Sequence, residues 1–197
     1  MNITADMVKE LRTVTGAGVL DCRNALLAAA GDFEKATEIL RRQGMAEAEK
    51  RKEREANEGL IAAYIHTGDR LGAMVELNCE TDFVAHTTEF RNLAKELTMQ
   101  VAASNPLYVC RADIPGEVIA RQEEAYRAEM GAENKPPHIL ERIISGKMEK
   151  FYKESCLLEQ PYIRDPDITV GELIDRLNAT LGENIVVRRF VRYELGK

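Results

Sequence analysis

GLIAAYIHTGDRLGAMVELN, residues 59–78, holds two β-rich runs separated by Thr67, Gly68, Asp69 and Arg70. Residues 59–66 and 71–78 carry Leu, Ile, Tyr, Met and Val, and the Gly-Asp pair between them supplies the residue types a tight reversal demands. The spacing predicts a β-hairpin. A polar stretch, 79–87, follows it, with Phe83 and Val84 as apolar intruders. An amphipathic helix then carries Phe90, Leu93, Ala94, Leu97 and Val101 on one face and ends at Asn105 and Pro106.

Further along, Pro115 opens a helix with Val118, Ile119 and Tyr126, and residues 131–136 turn it into a partner helix bearing Leu140, Ile144, Met148 and Phe151. Thr169 and Glu172 form a capping box for a helix on Leu173, Ile174, Leu177 and Leu181, with Gly182 as its stop. Residues 185–193, rich in Val, Phe and Tyr, predict a third strand able to join the hairpin. Strict alternation puts Val187, Val191 and Tyr193 on one face, and Val186 and Phe190 on the other. A three-stranded sheet with apolar groups on both faces calls for a further layer, either local or from another subunit. The fold class expected is α+β.

Upstream of the hairpin, the first 44 residues predict three short helices. Thr4 caps the first, whose Met7, Val8, Leu11 and Val14 recur at helical spacing until Gly16 and Gly18 interrupt them. Val19, Cys22, Leu26 and Ala30 stripe the second, which Gly31 ends. Asp32 caps the third, with Phe33, Ala36 and Leu40 before Gly44. Residues 45–57 lack large apolar side chains beyond Met45 and read as a helical linker. The expected domains are therefore 1–44, the linker 45–57, and a main α+β domain from 58 to 197.

Composition narrows the function classes. At 197 residues, 45% hydrophobic and 30% charged, the chain can bury a real core. Its net charge of −6 disfavours a general nucleic-acid role, because such binding neutralises phosphates with Lys and Arg. No apolar run approaches the ~20 residues of a membrane helix, and the N-terminal residues do not read as a signal peptide, so a cytoplasmic location without membrane contact is expected. Cys22, Cys79, Cys110 and Cys156 are scattered without a CxxC pair, which argues for free thiols rather than a zinc site.

No catalytic constellation emerges. Gly16, Ala17, Gly18 and Ser145, Gly146, Lys147 lack the strand, loop and GK[ST] order of a phosphate-binding loop. His66, His86 and Cys79 have no recognised spacing, and Glu76, Glu80 and Asp82 define no pocket. The unusual feature is Thr81, Asp82, Phe83, Val84, where a carboxylate adjoins a large aromatic in an exposed connection. Phe83 either folds back into its own core or serves as an interface anchor. Spacing leaves both open.

Two stretches resemble a known family. Thr15, Gly16, Ala17, Gly18, then Asp21, Cys22, Arg23, Ala25 and Leu26, are similar to the N-terminal signature of the elongation factor Ts family. Glu76, Leu77, Asn78, Cys79, Glu80, Thr81, Asp82, Phe83, Val84 and Ala85 are similar to its core signature, and the resemblance continues through residues 186–195. It implies a ubiquitin-associated-like three-helix domain, a linker, and a core with a three-stranded antiparallel sheet. It further implies a guanine-nucleotide exchange factor for the GTPase elongation factor Tu, with no cofactor, metal or catalytic residue of its own. Thr81, Asp82, Phe83 and Val84 would disturb the partner's magnesium site, and Thr15, Gly16, Ala17, Gly18 and Val19 would dock elsewhere on it. Longer members carry two copies of the core and a coiled-coil excursion. Here there is one copy, as in short members whose subunits pair, so a homodimer through the core sheet is expected. Two rival readings remain: a thiol or hydrolytic enzyme using Cys79, His66 and Asp82, and an adaptor that binds without exchange.

Overall fold

A computed structural model describes residues 3–130 and 136–197. The helices α1 (Ala5–Thr15), α2 (Val19–Ala28) and α3 (Phe33–Arg51) lead into the hairpin β1 (Glu58–Ile65) and β2 (Leu71–Cys79). After α4 (Asp82–Ala85) and α5 (Thr88–Ser104) come the paired helices α6 (Gly116–Met130) and α7 (Pro137–Ser155). The short strands β3 (Pro161–Tyr162) and β4 (Asp165–Thr169), the helix α8 (Val170–Leu181) and the strand β5 (Val186–Glu194) complete the chain. The protein is α+β, with a three-stranded antiparallel sheet in the order β1-β2-β5.

The elements gather into two compact units. One comprises Met1–Gly59, Asn78–Phe90 and Ile174–Val186, the other Leu60–Leu77, Arg91–Leu173 and Val187–Lys197. In the first, α1, α2 and α3 bury Val8, Leu11, Cys22, Ala25, Leu26, Ala29, Ala36 and Leu40 in one cluster. The caps fall where the sequence puts them: Thr4 Oγ1 accepts from Met7 N, and Asp32 Oδ1 accepts from Lys35 N at 3.1 Å. Gly16 ends α1 with φ +70°, a conformation open to glycine and strained for other residues.

The α2 stripe differs from expectation at both ends. Val19 and Ala30 are exposed, and Ala25 and Ala29 are buried in their place. Val19 starts the helix and Ala30 lies past its end, so neither is turned inward by a helical neighbour on both sides. Val14 of α1 is exposed as well. Nor does α3 stop at Gly44; it continues to Arg51. A Cβ at position 44 would stand 3.1 Å from the Ala179 methyl of α8, so this glycine permits a close helix approach and does not break the helix.

In the second unit the inward face of β2 carries buried Ala73, Val75 and Leu77. Arg192 of β5 donates from Nε to the Ala102 carbonyl of α5 at 3.0 Å. The outward face is apolar and open: Ile61, Ile65, Met74, Val191 and Tyr193 are all exposed, Tyr193 by 70%. Val187 does not share that face as strict alternation requires. It is buried, and two successive exposed residues, Arg188 and Arg189, separate it from the outward positions.

Helices α6 and α7 pack side by side, with Lys147 bonded to Glu129 at 2.6 Å and lying over the Tyr126 ring. The turn expected over 131–136 falls, as far as residue 135, outside the described residues. The β3–β4 ribbon, for which the sequence carried no signal, is pinned by buried amides. Gln100 Nε2 donates to the Pro161 carbonyl at 3.2 Å, and its Oε1 accepts from Ile163 N at 2.9 Å.

At the start of α8, Thr169 Oγ1 accepts from Glu172 N at 3.1 Å and Glu172 Oε2 accepts from Thr169 N at 3.0 Å, a reciprocal capping box. Thr169→Ala removes one half of it. Urea denaturation is expected to register a loss of about 1 kcal/mol with circular dichroism unchanged.

Candidate partner-binding site

The polar stretch after β2 folds as one short helix held at both ends. Thr81 is extended, and its Oγ1 lies 3.5 Å from Val84 N as the N-cap of α4. At the other end His86 N reaches the carbonyls of Asp82 and Phe83, and His86 Nδ1 donates to the Asp82 carbonyl at 2.6 Å. Thr87 closes the turn, donating from Oγ1 to the Val84 carbonyl at 2.8 Å. Val84 and Ala85 point inward and are buried, which leaves Asp82 and Phe83 outside. Phe83 is 82% exposed, so it does not fold back into the core of its own chain.

The helix is anchored by residues far away in sequence. Glu183 Oε2 accepts from Glu80 N at 3.1 Å and Thr81 N at 3.0 Å, while its Oε1 accepts from Thr81 Oγ1 at 2.5 Å. Glu80 returns the bond, with Oε1 accepting from Asn184 N at 2.7 Å. Asn184 in turn donates from Nδ2 to the carbonyls of Lys52 and Arg54. Reading the sequence missed this anchor entirely; a Glu beside a helix-stopping glycine gives no sign of its partner.

The second predicted segment is a separate turn between α1 and α2. Thr15 Oγ1 donates to the Leu11 carbonyl at 2.7 Å and accepts from Ala17 N, which tightens the Gly16, Ala17, Gly18 corner. Val14, Val19 and Leu20 stand exposed around it, Leu20 by 71%. Leu20 lies one residue beyond the predicted stretch and is more exposed than any residue in it that could serve as an apolar contact.

The groups weighed for chemistry have structural occupations. Lys147 sits inside α7 on Glu129, and Gly16, Ala17 and Gly18 form a helix-to-helix corner, so neither is a phosphate loop. His66 lies in the hairpin turn, its Nδ1 2.8 Å from the Tyr64 hydroxyl. Glu76 pairs with Arg189 at 2.6 Å. The Cys79 thiol is buried and donates to the Thr81 carbonyl at 3.1 Å; burial, then the neighbouring Glu183 carboxylate, push it up to about 11. Burial likewise raises the Cys156 thiol to about 11. Among the described residues no group of His, Cys, Asp or Glu could hold a metal ion, and no helix is long and apolar enough to cross a membrane.

Fold and displayed aromatic together describe an α+β protein that carries an exposed Phe83 on a short helix. The family model described as Elongation factor TS matches residues 35–197. The Elongation factor Ts of Caldanaerobacter subterraneus subsp. tengcongensis is 57% identical over 195 residues, 99% of this chain and 98% of its own length. Those of Thermodesulfovibrio yellowstonii and Syntrophus aciditrophicus are 54% and 55% identical over 197 residues, with 100% of this chain and 98% of each relative covered. The chain belongs to the elongation factor Ts family of translation factors.

A thiol held near 11 is overwhelmingly protonated at neutral pH and nearly inert as a nucleophile. Iodoacetamide at pH 7.5 is therefore expected to leave Cys79 and Cys156 unmodified in the folded protein and to label both in urea, as read by peptide mass spectrometry.

Proposed function

We propose that the chain is a guanine-nucleotide exchange factor that binds elongation factor Tu in its GDP form and promotes GDP release by disturbing the partner's magnesium and phosphate site. The observation that carries the reading is Phe83, exposed beside Asp82 on a helix whose other two residues are buried. Family membership supplies the partner.

Exchange by such a factor needs no bond chemistry. A factor that binds the nucleotide-free GTPase more tightly than the GDP form weakens GDP binding by the same ratio, by thermodynamic necessity. Magnesium demands a near-ideal octahedron of oxygens, so a small displacement of a supporting group forfeits much of its binding. Phe83 acts as the wedge and Asp82 as a competing charge, with Thr81 and Val84 framing them. Burying a Phe side chain is worth ~1.5–3 kcal/mol and a tenfold change takes ~1.4 kcal/mol, so Phe83 supplies about one to two decades. The corner Thr15, Gly16, Ala17, Gly18 and Val19, with Leu20 beside it, provides a second docking surface. On this reading residues 1–44 form the docking domain, 45–57 the linker and 58–197 the core, and the protein works in the cytoplasm.

The open sheet face is the seat of a second subunit. An exposed apolar face made of Ile61, Ile65, Met74, Val191 and Tyr193 could meet its own copy across a two-fold axis, the commonest symmetry of homodimers.

Phe83→Ala is expected to slow release of a fluorescent GDP analogue from elongation factor Tu at least tenfold, with native circular dichroism; an unchanged rate would reject the wedge. Binding without any acceleration by the unaltered chain would instead favour an adaptor. Met74→Glu places a charge in the sheet face, and light scattering is expected to report a monomer where the unaltered chain gives a dimer. A variant that elutes unchanged would remove this face from the assembly.

A further inference from the structure

We infer that Glu183 is a positioning residue for exchange: its carboxylate holds the Asp82–Phe83 helix in the one orientation from which it can act. The inference rests on the reading of Asp82 and Phe83 as the exchange surface.

A four-residue helix cannot maintain itself, since fixing its dihedrals is not offset by so few hydrogen bonds. Phe83, 82% exposed, adds little packing of its own. Val84 and Ala85 pack inward, and His86 and Thr87 close the far end, while the N-terminal approach is gripped by Glu183. One of its oxygens takes both backbone N–H groups of the approach, and the other takes the Thr81 hydroxyl, which faces Val84 N as the cap. Three donors converge on one side chain 102 residues away from Thr81 in sequence.

A carboxylate on a two-carbon stem offers that set of acceptors at that reach. The return bond from Asn184 N to Glu80 makes the connection a crossed latch, each acid bound to backbone next to the other. Position and orientation of the approach are thereby fixed together. Gln at 183 retains one oxygen for the two backbone donors and turns an amide toward Thr81 Oγ1, which can accept. Ala retains nothing. A mobile helix lowers the fraction of molecules competent to engage, and apparent activity falls with that fraction.

The test is a double-mutant cycle in GDP release, with Glu183→Ala, Phe83→Ala and the pair, alongside Glu183→Gln. Glu183→Ala is expected to slow release about tenfold in the unaltered background and less than about twofold when Phe83 is already Ala, because the two act through one contact. Glu183→Gln is expected to lose only about threefold, again abolished by Phe83→Ala. If Phe83→Ala slows release but Glu183→Ala does not, or if their losses multiply, Glu183 is not a positioning residue. If Phe83→Ala itself has no effect, the exchange surface has been misplaced and the inference falls with it. Should Glu183→Ala fail to fold by circular dichroism, Glu183→Gln decides: a loss cancelled by Phe83→Ala supports the role, whereas a normal rate or a multiplying loss overturns it.

Discussion

A large aromatic side chain is normally oriented by the core it joins, and Phe83 joins none. Its direction is set by the inward packing of Val84 and Ala85 and by a few polar contacts to the backbone beneath it. Thr81 and His86 close the two ends of α4, and Glu183 accepts from the backbone of Glu80 and Thr81 while Glu80 accepts from Asn184 N. An N–H to carboxylate bond is roughly twice as strong as its neutral counterpart, and losing its acceptor strands a partly buried donor at a cost of about 1–3 kcal/mol. Charge-assisted bonds join the packing of Val84 and Ala85 at this point of the fold, whereas the three-helix cluster is held by packed Leu, Val and Ala.

Much of the fold was legible because its signals are local. Thr4, Asp32 and the Thr169–Glu172 pair all cap the helices they precede, and each can be read from a few adjacent residues. The hairpin 59–78 was legible for the same reason. Where expectation and structure part, a distant partner intervenes. Gly44 looks like a stop signal, yet it serves the approach of Ala179, which no local window contains. The β3–β4 ribbon depends on the side chain of Gln100, more than sixty residues earlier, and its strands are too short for an alternating pattern to show.

The candidate site divides along the same line. Periodicity could not decide whether Phe83 lay in or out, because a four-residue helix has no stripe to compare it with. Its neighbours decide: Val84 and Ala85 take the inward positions, and the single turn leaves Asp82 and Phe83 the outward ones. Glu183 was invisible to sequence reading for a different reason. A surface Glu after a helix-ending glycine is ordinary, and only the fold brings it against residues 80 and 81.

The exposed sheet face and Phe83 differ in kind, and the difference bears on what each can bind. Ile61, Ile65, Met74, Val191 and Tyr193 spread over a pleated surface whose backbone is already paired, so their position does not depend on any single contact. Such a face suits a broad, flat partner and tolerates the loss of a side chain at its margin. Phe83 is one ring on a small mount, able to enter a cleft that a sheet face cannot reach. If Phe83 is the wedge proposed above, its value to a partner depends on angle as much as on area, since a misdirected wedge no longer meets the groups it must move. On the proposed reading, stiffness of the mount would limit how much of the ring's burial energy could be spent on distorting the partner, and the bonds to the carboxylates of Glu183 and Glu80 would contribute to it.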